Sequence, residues 1–533
     1  MPARSGIRVL NDDCLQHVFV ELRPKRGLRS LSLTCRWLRD ACLDVLFERC
    51  IAYSNVLQQP SEAFPPPHLW RHIRFLRMIG CFDCDPDLSD VESISDSTYQ
   101  AVSTTACRED ILADVLSAMP RLLSVVVEGV KERGVPWPML KVFLSAPQLS
   151  TFDIFGRLYA GGTITSDDAF FSPGAITSFR YVPQNKRVRF TSSSAEKYIV
   201  RTILERLSTS LDVLHLPCES VPFRRLNRWD WSSLQELHLR GDGRRLLEYG
   251  VPLISILSRM PHLRRLSLKL ARSGSEPLGA IWPPNSAVKA IPWPELESLT
   301  MTWLHPEEQL FRHLPSTLRD LHLRVWPRRY YPKPGFHEYR ALQRLGKQLP
   351  NWVRETPSAS MVIQAFQSCR QISLRSFDLE YIADSNDIRL LQLVARSFPD
   401  LQYLRLYRYR RTEDLAHAPV ECMSDALSPL RNLRALRLYL DYNRTLAHVE
   451  GRRRYELKPE ALDDLIVAAA RHFACRASPT LQSIAVLESD GGEVNVREFA
   501  VARDSRGEQF VYWTDSYPPN RADASSDSDS HEI

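Results

Sequence analysis

Glycine is scarce in this chain, 20 residues of 533, and the phosphate-cradling patterns built on it are missing. There is no G-x-x-x-x-G-K-[ST], and no G-x-G-x-x-G follows a strand-like run. H-E-x-x-H and G-x-S-x-G are also absent, so no common signature of a nucleotide-binding enzyme, zinc protease or serine hydrolase is present. The expectation is a protein with no catalytic residues, no metal and no cofactor. No run of about 18 apolar residues occurs, which argues against a membrane span. The N-terminus has no apolar signal core, and the 11 cysteines follow no framework spacing, so free thiols in an intracellular compartment, cytoplasm or nucleus, are expected. With 69 basic and 63 acidic residues the net charge is only +6, too even a balance to call for nucleic acid.

What the chain does have is repetition. In Leu253 to Leu268, the residues Leu253, Ile256, Leu257 and Met260 recur at helical spacing, Pro261 stops the helix, and Leu266 and Leu268 then alternate with Arg265, Ser267 and Lys269. The unit predicted is a helix, a proline stop and a short strand. A proline, one residue and a leucine recur at Pro120/Leu122, Pro147/Leu149, Pro261/Leu263, Pro294/Leu296, Pro399/Leu401 and Pro479/Leu481. Apolar triplets spaced L-x-x-L-x-L begin at Leu122, Leu149, Ile176, Leu211, Leu234, Leu263, Leu296, Leu318, Leu374, Leu401, Leu433 and Leu481. A helix and a strand cannot bury their own apolar face, whereas stacked copies share one core. The pattern resembles the leucine-rich-repeat family and implies an α/β solenoid. Neighbouring triplets start from 22 residues apart (Leu296 to Leu318) to 56 apart (Leu318 to Leu374), and the asparagine or cysteine usual after the strand is mostly missing.

Residues 7–51 differ from the rest. Asn11 is a candidate N-cap, with Asp12 and Asp13 in the first turn and Leu15, Val18, Phe19 and Leu22 on one helix face. A second short segment carries Leu28, Leu31 and Leu33. A third helix, capped by Thr34, has its face at Leu38, Ala41, Cys42, Val45 and Leu46. These positions, with Leu10 and the Cys35-Arg36-x-Leu38-Arg39 run, resemble an F-box, the docking motif for the Skp-type adaptor of SCF ubiquitin ligases. The wording is similar to that of fungal F-box proteins. The resemblance implies a substrate receptor whose partners are the Skp-type adaptor, a cullin and a target protein, with Leu10, Leu15, Val18, Phe19, Leu31 and Leu38 facing the adaptor. The alternative is a helical cap on the end of the solenoid.

Residues 52–110 are expected to form a linker, a first strand at Trp70/Ile73/Phe75 after the stiff Pro65-Pro66-Pro67, and an acidic insertion. Cys81 and Cys84 make a lone C-x-x-C with His68 and His72 upstream, short of the four spaced ligands of a structural zinc site. The solenoid is assigned to 111–490, interrupted at 271–292, 327–360 and 441–460. A capping hairpin is expected at 491–517, and 518–533 is an acidic tail whose serines are followed by acids. Solvent-facing strand positions carry His238, Arg240, Lys269, His322, Arg324, Tyr403, Arg405, Tyr407, Arg437 and Tyr439. Arginines interleaved with tyrosines suit carboxylates or phosphates, so the target is expected to be acidic or phosphorylated. The competing readings are a repeat scaffold unconnected to ubiquitin and a nucleic-acid-binding solenoid using the basic 327–340 segment.

Overall fold

The computed structural model describes residues 10–23, 27–53, 65–79, 109–128, 134–160, 174–183, 192–243, 246, 250–273, 278–325, 352–353, 356–367, 369–370, 372–411, 418–442, 459–490, 493–503 and 509–513. The Cys81/Cys84 pair, the 327–340 basic segment and the 518–533 tail lie outside them. The chain divides into two compact units, one of residues 1–184, 192–216 and 220–222, the other of 185–191, 217–219 and 223–533.

The first unit begins with three helices, α1 (Asp12–Leu22), α2 (Gly27–Ser32) and α3 (Arg36–Leu46). Asn11 caps α1, its side chain accepting the N–H of Cys14 at 2.8 Å. Cys35 stands at the N-cap position of α3, without a side-chain bond, where Thr34 was expected. Leu15, Phe19, Leu28, Leu38, Cys42 and Val45 bury one another in a core of their own. The chain then enters β1 (Arg49–Tyr53) without a linker, since only Phe47 and Glu48 separate it from α3. Beyond it stand β2 (Phe75–Ile79), β3 (Ser124–Glu128), β4 (Thr151–Phe155), β5 (Ser178–Val182) and β6 (Val213–Pro217), each pairing in parallel with the one before. Helices α4 (Glu109–Ser117), α5 (Trp137–Leu144) and α6 (Ser194–Leu207) occupy the connections.

The second unit continues the pattern. Its parallel strands, in order, are β7 (Glu236–Asp242), β8 (Arg265–Ser273), β9 (Ser298–Met301), β10 (Asp320–Leu323), β11 (Ser376–Ile382), β12 (Tyr403–Tyr409), β13 (Ala435–Tyr439) and β14 (Ser483–Asp490). Strand β14 then turns antiparallel into β15 (Glu493–Arg503), and β15 into β16 (Gln509–Trp513). The last repeat's own strand and the β15–β16 hairpin thus make one three-stranded meander. Connections carry α7 (Ala359–Phe366), α8 (Asp387–Ser397), α9 (Val420–Leu427) and α10 (Pro459–Arg476).

All twelve triplets are buried, none of their side chains more than 6% exposed. The strand alternation sends the second and third members of each to the helix side, and the first sits in the turn before the strand. That turn explains the recurring proline. In each of the six Pro-x-Leu segments the carbonyl before the proline accepts the leucine N–H at 3.0–3.3 Å, as Met260 does for Leu263 and Phe398 for Leu401. Proline occupies the second position of a β-turn, where its fixed φ is already correct and no N–H is needed. The opening helix is accordingly shorter than its periodicity predicts. It is α-helical at Leu253–Ile256, tightens to a 3-10 turn at Leu257–Arg259, and leaves Met260 at φ −117°, as the following Pro261 requires.

A second hydrogen-bond pattern ties one repeat to the next. The carbonyl of the residue after the first apolar member accepts two backbone N–H groups from the following repeat: Gln235 from Arg264 and Arg265, Arg264 from Glu297 and Ser298, Gln402 from Arg434 and Ala435. The first unit repeats it with Glu48, Arg74, Leu123, Ser150 and Thr177 as acceptors. This register corrects the expected first strand. Glu48 and Arg74 mark Phe47/Cys50/Ala52 and Ile73/Leu76/Met78 as triplets, so Trp70 lies in a 3-10 helix at Pro67–His72 and Phe75 points away from the core side. The proline run follows β1, and residues 278–291, expected as part of an interruption, bury Leu278, Ile281 and Trp282. Glu308 accepts the N–H groups of Ile281 at 2.7 Å and Trp282 at 3.0 Å.

Acids stand eight residues after the first apolar member in two of the repeats. Glu219, eight residues after Leu211, accepts the N–H of Asp242 at 2.6 Å, and Asp441, eight after Leu433, accepts that of Arg410 at 3.0 Å. Beside Glu219 the chain passes through Gly241 at φ +127°, where an added Cβ would lie 2.4 Å from the Glu219 carboxylate. Gly241→Ala therefore lowers the urea midpoint of the second unit, by about 1–3 kcal/mol of stability at unchanged slope, and a midpoint equal to wild type would refute this account of the turn.

Candidate binding surface

Because the triplets face the helices, every other strand residue faces the open side of the sheet. On β10–β13 the parallel register brings His322 beside Asp378, Asp378 beside Arg405, Arg405 beside Arg437, and Tyr407 beside Tyr439. The centre is Asp378, 1% exposed, which the sequence reading did not single out. Arg324 approaches its Oδ2 at 2.5 Å, His322 Nδ1 at 2.8 Å and Arg405 at 3.7 Å. Burial alone would raise the Asp378 pKa, but Arg324 first, then His322 and Arg405, outweigh it and hold the carboxyl well below the usual carboxylate range. The Arg324 guanidinium also lies over the Tyr407 ring, 5.2 Å from its centroid, and donates to the Tyr407 hydroxyl at 3.3 Å.

The neighbouring acid, Glu380, is equally buried and accepts the Val325 N–H and the Tyr409 O–H, each at 2.9 Å. Tyr407, Tyr409, Tyr439 and Leu487 pack into a second apolar cluster, flanked by Ile382 and Val496. This corrects the expected role of Tyr407 and Tyr439, which are 2% and 8% exposed and form part of a small core on the open side. The accessible part of this stretch is the row nearer the strand starts: Tyr403, 48% exposed, half-buried Arg405 and Arg437, and the small residues Ala435, Ser483 and Ala485 beside them.

The other expected positions fall on β7 and β8. Arg240 and Lys269 are register neighbours, both half-buried, and His238 stands opposite Ser267 with Glu236 at 3.8 Å, while Glu236 binds Arg265 at 2.6 Å. The first unit carries charge on its open side as well, unforeseen from the sequence. Arg77 pairs with Glu128 there, and Asp153 lies 3.9 Å from Arg180. Burial pushes the Asp153 carboxyl up to about 6, with Glu128 reinforcing and Arg180 opposing the shift. No alternation rule separates such acids from solvated ones, because their burial depends on what their neighbours cover.

In the helical head, Leu15, Phe19 and Leu38 are core residues rather than surface ones, because each closes the three-helix core. Leu10 is 42% exposed, and Val18 and Leu31 are half-buried. Val20, 49% exposed, is an apolar residue that the sequence reading did not name, and Leu33 of the second segment is 71% exposed. The head rests on the first repeats through Asp44, which meets His72 at 2.5 Å and Arg121 at 3.1 Å. Those contacts, the His72 hydrogen bond foremost, lower the Asp44 pKa against partial burial. No helix among the described residues is long and apolar enough to cross a membrane.

No protein-family model matches the chain, and no curated protein matches it. Solved structures that match in part include the Toll–Spätzle complex of Drosophila, at 11% identity over 83% of this chain and 55% of that one, with a TM-score of 0.32. Another is the leucine-rich-repeat-containing protein LegL7 from Legionella pneumophila, at 13% identity over 72% of this chain and 97% of that one, with a TM-score of 0.26. The chain thus spans 55% of the length of the Toll–Spätzle match. Similarity at these scores carries no argument, and the repeat architecture rests on this chain's own strand register and turn hydrogen bonds.

Two expected outcomes follow from the buried acids. Asp378→Asn strands the Arg324 charge, 11% exposed, and costs about 3–5 kcal/mol in chemical unfolding, whereas replacing both by apolar residues recovers most of the loss. Since folding lowers the Asp378 pKa, its contribution is complete above the unfolded value of about 3.9 and is lost as the pH falls below that toward the folded value. Asp153 has the opposite sign: its raised pKa favours folding below about 4, and the advantage is gone once the pH passes about 6. Asp153→Asn should gain about 1–3 kcal/mol at pH 7 and nothing at pH 4, as read from urea midpoints at the two pH values.

Proposed function

We propose that this protein is a non-enzymatic binding scaffold whose repeat sheet holds an acidic or phosphorylated protein target on its open side. On this reading its helical head docks on the Skp-type adaptor of an SCF ubiquitin ligase, with a cullin recruited through it. The observation that carries the proposal is the division of labour in the head: a private core of six buried residues leaves Leu10, Val20 and Leu33 as apolar side chains facing solvent. A helical unit that has satisfied its own core and still exposes large apolar residues is suited to a partner. The F-box resemblance of Leu10 to Phe47 supplies the identity of that partner. The activity would be proximity, a target held near a ubiquitin-charged enzyme that other subunits provide.

A second reading has its own support. Helix α3 runs into β1, and Asp44 ties it to His72 and Arg121, as a cap on the array would be tied. Co-purification of the full chain with the Skp-type adaptor and a cullin separates the two. The informative variant is Val20→Asp/Leu33→Asp, since substitution of Leu15 or Phe19 would dismantle the core. Retention of both subunits by the wild type and at least tenfold loss by the folded variant is expected. Absence of both subunits from the wild type assigns the head to capping and leaves a scaffold unconnected to ubiquitin.

A further inference from the structure

We infer that this chain forms a homodimer through β16, whose outer edge pairs antiparallel with the same strand of a second copy, whatever the open side of the sheet holds. Among the described residues the ladder of β16 runs to β15 alone, with Gln509 opposite Arg503, Val511 opposite Val501 and Trp513 opposite Phe499. One bond fixes the sense of that ladder. The Val501 N–H donates to the Gln482 carbonyl at 2.9 Å, so the peptide groups of Val501 point toward β14. Along an antiparallel strand the sense alternates, so Ala500 and Ala502 turn theirs toward β16 and pair with Tyr512 and Phe510. The N–H and C=O groups of Gln509, Val511 and Trp513 therefore face outward, an edge ready to be extended.

The five residues of the strand, Gln-Phe-Val-Tyr-Trp, include no charge and no proline to blunt that edge. Phe510 and Tyr512 stand on the open side, because Tyr512 is level with Ala500 and Ser483, and they are 49% and 51% exposed. Their ring centroids lie 6.4 Å apart. The order of aromatic and aliphatic residues is symmetric about Val511, and that symmetry selects a second copy of this chain as the occupant. A two-fold axis at Val511 sets Val511 against Val511 and each Gln509 against the second copy's Trp513, pairs whose outward peptide groups exchange both N–H···O bonds. Each Phe510 then meets the second copy's Tyr512 at a non-hydrogen-bonded position, where Cα atoms approach to about 4.5 Å and side chains lie closest. Cross-strand aromatic pairs at such positions stabilise a sheet, and the two-fold makes the pair twice. The axis stands normal to the sheet, so the open sides of both copies face the same way.

The test is sedimentation equilibrium of the full-length protein over a range of concentrations. A strand edge lies at the small end of specific interfaces, so the expected dimer is reversible, its mass rising from one chain toward two. Val511→Pro should raise the dissociation constant about tenfold or more at an unchanged unfolding midpoint, because it removes an outward N–H and leaves the bonds to β15 in place. If that variant is destabilised, substitutions of the exposed side chains decide. Phe510→Lys/Tyr512→Lys and Phe510→Glu/Tyr512→Glu should each be monomeric, and mixing the two should restore a dimer, since opposite charges then face one another across the two-fold. Amide exchange at single residues gives a readout that association through another surface would not move. Dimer formation should slow Val511, at the centre of the edge, while Phe510 and Tyr512, bonded to β15, exchange at rates independent of concentration. A mass of one chain at every concentration overturns the proposal, and so does a dimer that survives both charged variants with Val511 exchange unchanged. Oligomers growing beyond two copies also overturn it, because a closed two-fold contact uses up the edge.

Discussion

Within each unit, one backbone carbonyl per repeat joins it to the next. The oxygen of the residue after the first apolar member accepts two N–H groups from the next repeat, as Arg264 does from Glu297 and Ser298. Within each unit this bond joins consecutive repeats whatever lies between them, so Glu297 and Arg319 are linked in the same way as Arg319 and Arg375, although the second pair is separated by a far longer stretch. Buried backbone groups must be paired. The shared acceptor meets that demand at the place where each turn becomes a strand, and the apolar triplets then have only to fill the space beneath.

The same constraint explains which parts of the fold can be read from the sequence. The triplets and the Pro-x-Leu turns are local patterns of leucine and proline, and the structure places every one of them where the period requires. Phe47/Cys50/Ala52 escaped because small residues at strand positions carry little hydrophobic signal, and Ile73/Leu76/Met78 was displaced by the nearby aromatics Trp70 and Phe75. The acids at Glu219 and Asp441 were hidden for a different reason. A carboxylate that accepts backbone N–H groups in a buried turn looks, in one sequence, like any solvated acid.

The open face of the sheet was legible in composition and not in accessibility. Alternation correctly assigns His322, Arg324, Arg405 and Arg437 to one side of the sheet, but alternation is silent on what lies above it. Asp378 gathers Arg324, His322 and Arg405, and the tyrosines of β12 and β13 pack on Leu487. A face expected to be uniformly wet is therefore divided into a dry aromatic half and an open row of arginines.

The passage from α3 into β1 through Phe47 and Glu48 alone has a mechanical meaning. Arg23 binds both the Val45 carbonyl, at 2.6 Å, and the Glu48 carboxylate, at 2.5 Å, so the elbow is clamped as well as short. The head cannot swing as it would on a tether; it keeps a set bearing toward the first strands of the array. It acts like a bracket rather than a hinge, and its bearing is decided when the chain folds.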